Sequence, residues 1–156
     1  MALTLENANL VWQRVQIALD SLGANKANRE AFRALKAYLS QEQRNPNLQF
    51  VAFADLTGDT VIADAATQVY GIFLKKRATA TDAFFKAVDH ATTAAGTTFY
   101  LCVELANASE QLALIFPGGI PQSAGTTIVS STTDTGGTDS TSGDGPDGFF
   151  VLGASE

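Results

Sequence analysis

The stretch TTFYLCVELANASEQLALIFP, residues 97–117, gives the clearest indication of the fold. Two runs in it alternate apolar and polar residues, and the apolar positions are Phe99, Leu101, Val103 and Leu105, then Leu112, Leu114 and Phe116. Successive side chains of a strand point to opposite faces, so this alternation is typical of half-buried β-strands. The residues between the runs, Asn107 to Ser109, form a typical turn sequence. The stretch therefore predicts an antiparallel hairpin.

Short apolar runs separated by turn residues continue on both sides of this hairpin. They are QFVAFADL (49–56), TVIAD (60–64), QVYGIFLKKR (68–77), DAFFKAVDH (82–90), GTTIVSSTT (125–133) and GFFVLGA (148–154). No helical crossover pattern lies between them, so we expect antiparallel pairing. Gly71 inside its run indicates a bulge or a close backbone approach. Pro117, Gly118, Gly119 and Pro121 predict a strand break and a turn.

Before Pro46 the pattern is helical. Apolar residues recur at three- and four-residue spacing from Ala8 to Leu22, with Thr4 as a candidate N-cap and Gly23 as the residue that ends the helix. A second helix is expected from Asn25 or Asn28 to Arg44. The predicted fold is thus mainly β: an antiparallel β-sandwich or jelly-roll-like domain over residues 47–156, preceded by an N-terminal α-helical hairpin or arm over residues 1–46.

The composition argues against several functions. The chain has one Cys and one His, fewer than a usual zinc site needs, and no nucleophile motif accompanies Cys102 or His90. We predict no catalytic residues, no cofactor and no enzyme activity. The net charge is −6, which argues against binding to nucleic acid, and no apolar run is long enough to cross a membrane. A soluble protein made in a cytosol is the expectation.

The polar stretch at residues 131–148 contains the only candidate metal ligands. Four carboxylates are interspersed with glycines there, and they are weak candidates for calcium: Asp134, Asp139, Asp144 and Asp147. Their spacing does not match a known calcium loop, and Asp is also common in turns. The interpretation favoured is a long polar surface loop that returns the chain to its last strand and contacts a partner.

The helical hairpin is the main candidate contact surface. A pair of amphipathic helices is too small to bury its own apolar stripes, so it packs either on the sandwich of the same chain or on another molecule, and the sequence leaves both open. The interface candidates combine this stripe with the loop near residue 117: Trp12, Val15, Leu19, Phe32, Tyr38, Pro117 and Ile120.

Two segments carry a resemblance to a known class of protein. VYGIFLKKRATATDAFFKAVDHAT and LALIFPGGIPQSAGTTIVSSTTDTGGTDSTSGDGPDGFFVLGA resemble small virion structural proteins of tailed bacteriophages, of the capsid decoration or cement type. The resemblance implies a non-enzymatic protein, located in the virion and made in the host cytoplasm, that binds and stabilises the head shell. Its partners would be the major capsid protein or another virion protein, together with self-association as a trimer or dimer.

An alternative function remains open at this point. A β-sandwich can also serve as an adhesion module that binds carbohydrate or calcium on a phage tail or fibre. Tyr70 and Tyr100 are the aromatic residues that could stack on a sugar, if they stand on an exposed sheet face.

Overall fold

The computed structural model describes residues 6–42, 47–54, 60–77, 84–90, 100–131 and 145–154. This part of the chain forms two helices, α1 (Ala8–Ser21) and α2 (Lys26–Glu42). It also forms nine strands: β1 (Glu6–Asn7), β2 (Asn47–Phe53), β3 (Thr60–Ala63), β4 (Thr67–Lys75), β5 (Phe84–Val88), β6 (Leu101–Glu104), β7 (Gln111–Gln122), β8 (Thr126–Ser131) and β9 (Asp147–Ala154).

The strands form two antiparallel sheets. One sheet has the order β1-β2-β9-β4-β7, and the other has the order β3-β8-β5-β6. The two sheets pack face to face, and the helical hairpin covers the outer face of the five-stranded sheet. The prediction of a mainly β, antiparallel, sandwich-like fold with an N-terminal helical hairpin is confirmed.

The central strands of the five-stranded sheet are buried on both faces. In β9, Phe149 and Val151 pack against the helices, whereas Phe150 and Leu152 pack against the second sheet. β4 is buried along nearly its whole length in the same way. This position explains why GFFVLGA and VYGIFL are continuous apolar runs, since a strand between two layers has no solvent-facing side.

Local signals in the sequence set the turn between the helices. Gly23 has a φ of 67°, and the amides of Gly23 and Ala24 donate to the carbonyls of Asp20 and Leu19 at 3.1 and 2.9 Å, which is the pairing of a Schellman motif. The Asn25 side chain then caps α2 by accepting from the Asn28 amide at 2.9 Å. The predicted end of the first helix and start of the second are therefore confirmed.

The start of the first helix differs from the prediction. Glu6 and Asn7 pair with Leu48 and Asn47 as an edge strand, so helix α1 begins at Ala8. The candidate cap Thr4 lies outside the described residues. The polar Glu6 and Asn7 carry no strand pattern, and the pairing depends on β2, which lies about 40 residues away in sequence.

The predicted hairpin at residues 97–117 is wrong. β6 pairs with β5 in the four-stranded sheet, and β7 pairs with β4 in the five-stranded sheet. The turn itself is present: the Glu110 amide donates to the Asn107 carbonyl at 3.2 Å, and Ser109 has a φ of 62°. However, the chain crosses there from one sheet to the other, because the apolar sides of both strands face the same core between the sheets.

The predicted strand break at Pro117 is also wrong. β7 continues to Gln122, and four residues from Phe116 to Gly119 stand opposite Tyr70 alone, since Ile115 pairs with Gly71 and Ile120 with Val69. The Pro-Gly-Gly sequence is thus a large bulge in an edge strand. An edge strand tolerates proline because its outer amides need no partner strand. The bulge expected at Gly71 is confirmed by the register shift between Val69 and Gly71.

Candidate functional site

A groove between α1 and α2 opens to solvent and has a volume of about 560 Å³. Its floor is apolar and consists of Trp12, Val15, Leu19 and Phe32. Its two rims are polar and consist of Gln13 and Gln16 from α1 and of Arg29, Arg33 and Lys36 from α2. The groove therefore combines an apolar floor with one basic wall and one amide wall.

The spacing of the basic residues on α2 builds the basic wall. Arg29, Arg33 and Lys36 stand at positions i, i+4 and i+7, which lie along one side of a helix. The rise of 1.5 Å per residue places the first and last of them about 10 Å apart along the axis. The wall therefore offers cationic groups in a row rather than at a single point.

Arg29 is occupied by contacts that tie the two helices together. Its guanidinium is paired with the Asp20 carboxylate, and its Nε donates to the Ala24 carbonyl at 2.7 Å. The hydrogen bond from Arg29 and a second one from Gln16 hold the pKa of Asp20 below its ordinary value of 3.8. The Asp20 carboxylate is thus neutralised by a neighbour of opposite charge.

Arg33 and Lys36 are in a different situation. Both side chains are exposed, and neither makes an ion pair or a hydrogen bond with the residues that the structure describes. They are the two cationic groups of the wall that a bound partner could engage without breaking an existing contact.

The structure places most of the interface candidates inside the chain's own core. Trp12, Val15, Leu19 and Phe32 are buried against the five-stranded sheet, and Tyr38 packs at the edge of the same cluster. The alternative left open by the sequence is settled for these side chains, since the hairpin packs on its own sandwich. Pro117 is exposed on the bulge of β7, and Ile120 is partly buried beside the core between the sheets.

Helix α1 has a second apolar surface that the periodicity of its sequence did not predict. Leu10 and Ile17 are 50% and 66% exposed, although both are large aliphatic residues. They are seven residues apart, so they lie two turns from each other on the same face, opposite the buried stripe. The sequence pattern did not reveal this second face, because the stronger inner stripe already accounted for the helical periodicity.

The calcium candidates do not form a site in the described residues. Asp147 is ion-paired with Arg77, with Oδ1 to Nε at 3.0 Å. Asp134, Asp139 and Asp144 lie outside the described residues. Within the described ranges, no group of three or more His, Cys, Asp or Glu side chains could hold a metal ion.

Of the aromatic candidates for sugar binding, Tyr70 is buried and Tyr100 is partly buried. Tyr70 is packed beneath the helices, and Tyr100 lies against the core between the sheets, where burial raises its pKa to about 12. Neither ring is placed on an exposed sheet face, so neither offers a platform for stacking.

Asp89 has a structural role that the sequence did not indicate. Its carboxylate accepts hydrogen bonds from the amides of Ser123, Ala124 and Gly125 at 2.9, 2.8 and 3.3 Å, and from the Ser123 hydroxyl at 3.0 Å. Partial burial acts to raise the pKa of Asp89, but these hydrogen bonds outweigh it and leave the pKa below 3.8. Asp89 thereby fastens the end of β5 to the turn between β7 and β8.

The chain was compared with models of known protein families, with curated proteins and with solved structures, and none of them matches it. Neither of the two helices described is long and apolar enough to cross a membrane.

Proposed function

We propose that this chain is a non-enzymatic virion structural protein: a capsid decoration protein that binds the head shell of a tailed bacteriophage and stabilises it. The observation that carries the proposal is the outward face of α1. Leu10 and Ile17 are presented there to solvent at 50% and 66% exposure. Because they share one face of the helix, the two side chains form a small apolar patch that a partner would cover, rather than two unrelated exposed residues.

The helix that presents these side chains is held firmly. Its inner face is buried in the core, and the turn that follows it is fastened to the sheet by Lys75, whose Nζ donates to the Leu22 carbonyl at 2.5 Å, and by Gln111, whose Nε2 donates to the Gly23 carbonyl at 2.8 Å. Side chains on a rigid element lose little freedom on binding, so even a small contact contributes to affinity. This arrangement suits a protein whose task is adhesion.

The order of segments in the sequence supports the same role. It resembles that of the decoration class: an apolar strand that runs into Pro-Gly-Gly, then a Thr/Ser strand, then GDGPDGF before the last strand. Such a protein binds in many copies on a repeating shell, so that weak contacts add up to stable attachment. We propose that the partner is the major capsid protein and that the chain associates with itself, as a trimer or dimer, at a local symmetry axis of the shell.

The proposal is tested by locating the protein and then removing the α1 face. Antibodies against the chain should label the heads of purified virions in a regular array, and heads without the protein should disrupt at lower temperature. The double variant Leu10→Glu, Ile17→Glu should fail to bind these heads. Val61→Glu is the matched control, because Val61 is also an exposed aliphatic residue (45%) but lies in the second sheet. Absence of the chain from purified virions would refute the proposal.

A further inference from the structure

We propose that the groove between α1 and α2 binds an acidic helical segment of another protein, with carboxylates on Arg33 and Lys36 and one apolar side chain against the accessible edge of Trp12. The inference rests on the groove itself and does not depend on the virion role. It concerns a surface distinct from the exposed pair Leu10 and Ile17.

Charge is the first argument for this occupant. The chain as a whole has a net charge of −6, yet the α2 wall of the groove consists of basic residues. Among the described residues, the two acidic groups beside this wall each have a cation next to them: Asp20 is paired with Arg29, and Glu30 lies 3.9 Å from the ammonium group of Lys26. A segment that carries carboxylates would therefore meet attraction at this groove, whereas the acidic chain elsewhere would repel it.

The row of cationic groups argues for a peptide rather than a single amphiphile. Arg33 and Lys36 lie about one helical turn apart, with Arg29 one turn before them. A fatty acid or a lipid presents one anionic headgroup, which would use one of these cations. A helix with Glu or Asp at every third or fourth position presents carboxylates at the same spacing as the wall.

The floor supplies one small apolar contact. Trp12 retains 8% exposure, whereas Phe32 and Leu19 retain 2% each, so only an edge of the Trp12 ring is accessible at the base of the groove. A third helix laid over α1 and α2 would place one apolar side chain on this edge and others along the aliphatic stems of Arg33 and Lys36. Nucleic acid fits less well, because only two of the three cations are unpaired and the floor offers no polar partner for a phosphate chain.

Trp12 allows the binding to be measured directly. It is the single tryptophan of the chain and lies in the floor of the groove, so its fluorescence reports on this site. The probe is a synthetic helical peptide of Leu, Ala and Glu with Glu at four-residue spacing, and the control peptide has Lys at every Glu position. We expect a saturable change of Trp12 emission with the Glu peptide and none with the Lys peptide.

Charge reversal of the wall tests the assignment of the carboxylates. Arg33→Glu and Lys36→Glu should each weaken binding by about tenfold or more, since each removes a charge-assisted contact and adds repulsion. Lys26→Glu makes the same change of charge on the same helix, but Lys26 does not line the groove and should leave the affinity unchanged. Because all three side chains are exposed, the variants should fold, which circular dichroism verifies.

Several results would overturn the proposal. They are the absence of any response to the Glu peptide at millimolar concentration, equal binding of the Lys peptide, and undiminished affinity in both groove variants. Stronger binding to vesicles of phosphatidylglycerol or to a single-stranded oligonucleotide, lost in the same variants, would also overturn it and assign the groove to a lipid surface or to nucleic acid.

Discussion

The ring of Phe32 lies directly on Gly71. A Cβ placed at Gly71 would stand 2.9 Å from Phe32 Cε1 and 3.0 Å from Leu35 Cδ2. The absence of a side chain at this position of β4 therefore allows α2 to rest on the backbone of the strand. The depth of the helical hairpin, and with it the geometry of the groove above Phe32, depends on this contact.

We expect Gly71→Ala to destabilise the protein by about 1–3 kcal/mol, the usual cost of overpacking a core. The added methyl group would have to displace the buried ring of Phe32, which has little room to move. Thermal unfolding followed by circular dichroism measures the effect. Gly118→Ala is the matched control, because a Cβ at Gly118 meets nothing within 4 Å and that variant should unfold like the wild type. Equal melting temperatures for both variants would contradict this close packing of Phe32 on Gly71.

Phe149 is the centre of an aromatic cluster that joins the helices to the sheet. Its ring centroid lies 5.1 Å from that of Phe32, 5.2 Å from Phe50 and 5.7 Å from Phe73. Phe149→Ala should lower the free energy of unfolding by about 3–5 kcal/mol, because it removes a large buried ring and leaves a cavity. Ile17→Ala, at an exposed position, should change it by no more than about 0.5 kcal/mol. Urea denaturation of both variants provides the comparison.

The features that could be predicted from sequence are those set by residues close together along the chain. Gly23 and Asn25 fixed the turn between the helices, because a left-handed φ and an N-cap are local requirements. The strands were recognisable for the same reason. Their pairing was not, since the turn at Asn107 fits equally a return within one sheet and a crossing to the other. The Pro117 bulge was misread because an edge position, which tolerates proline, is a property of the whole sheet.

The candidate site was predictable only in part. The amphipathic stripe and the single tryptophan indicated that Trp12 and Phe32 lie in a contact surface, but a stripe does not show which partner packs on it. In the structure the partner is the five-stranded sheet of the same chain. The basic wall of Arg33 and Lys36 was visible as charge, yet it becomes a surface only when α1 lies beside it. Asp89 was missed because its partners are more than 30 residues away in sequence.

Gln111 holds the turn between the helices to the edge of the sheet. Its Oε1 accepts from the Asn25 amide at 2.8 Å, and its Nε2 donates to the Gly23 carbonyl at 2.8 Å. Gln111→Glu keeps the shape and the acceptor but replaces the donor with an oxygen that faces the Gly23 carbonyl. We expect the free energy of unfolding to fall by about 1–2 kcal/mol. Gln13→Glu, which makes the same change of charge at an exposed position of α1, should have little effect on the melting temperature. A similar loss in both variants would point to net charge rather than to the turn.

Asp89 should make the stability of the protein depend on pH. The folded state holds its pKa below 3.8, so the unfolded state binds a proton more readily. The stabilisation is therefore fully present above about pH 4 to 5, and it is lost as the pH falls through the lower pKa of the folded state.

Asp89→Asn cannot reproduce the set of accepted hydrogen bonds and should cost about 1–3 kcal/mol in the free energy of unfolding near pH 7. Urea denaturation at several pH values should show this difference shrinking toward zero in acid. Glu104→Gln removes an exposed carboxylate of β6 and serves as the control, with little effect near pH 7. A difference between wild type and Asp89→Asn that stayed constant down to pH 2 would show that the carboxylate charge does not hold the turn between β7 and β8.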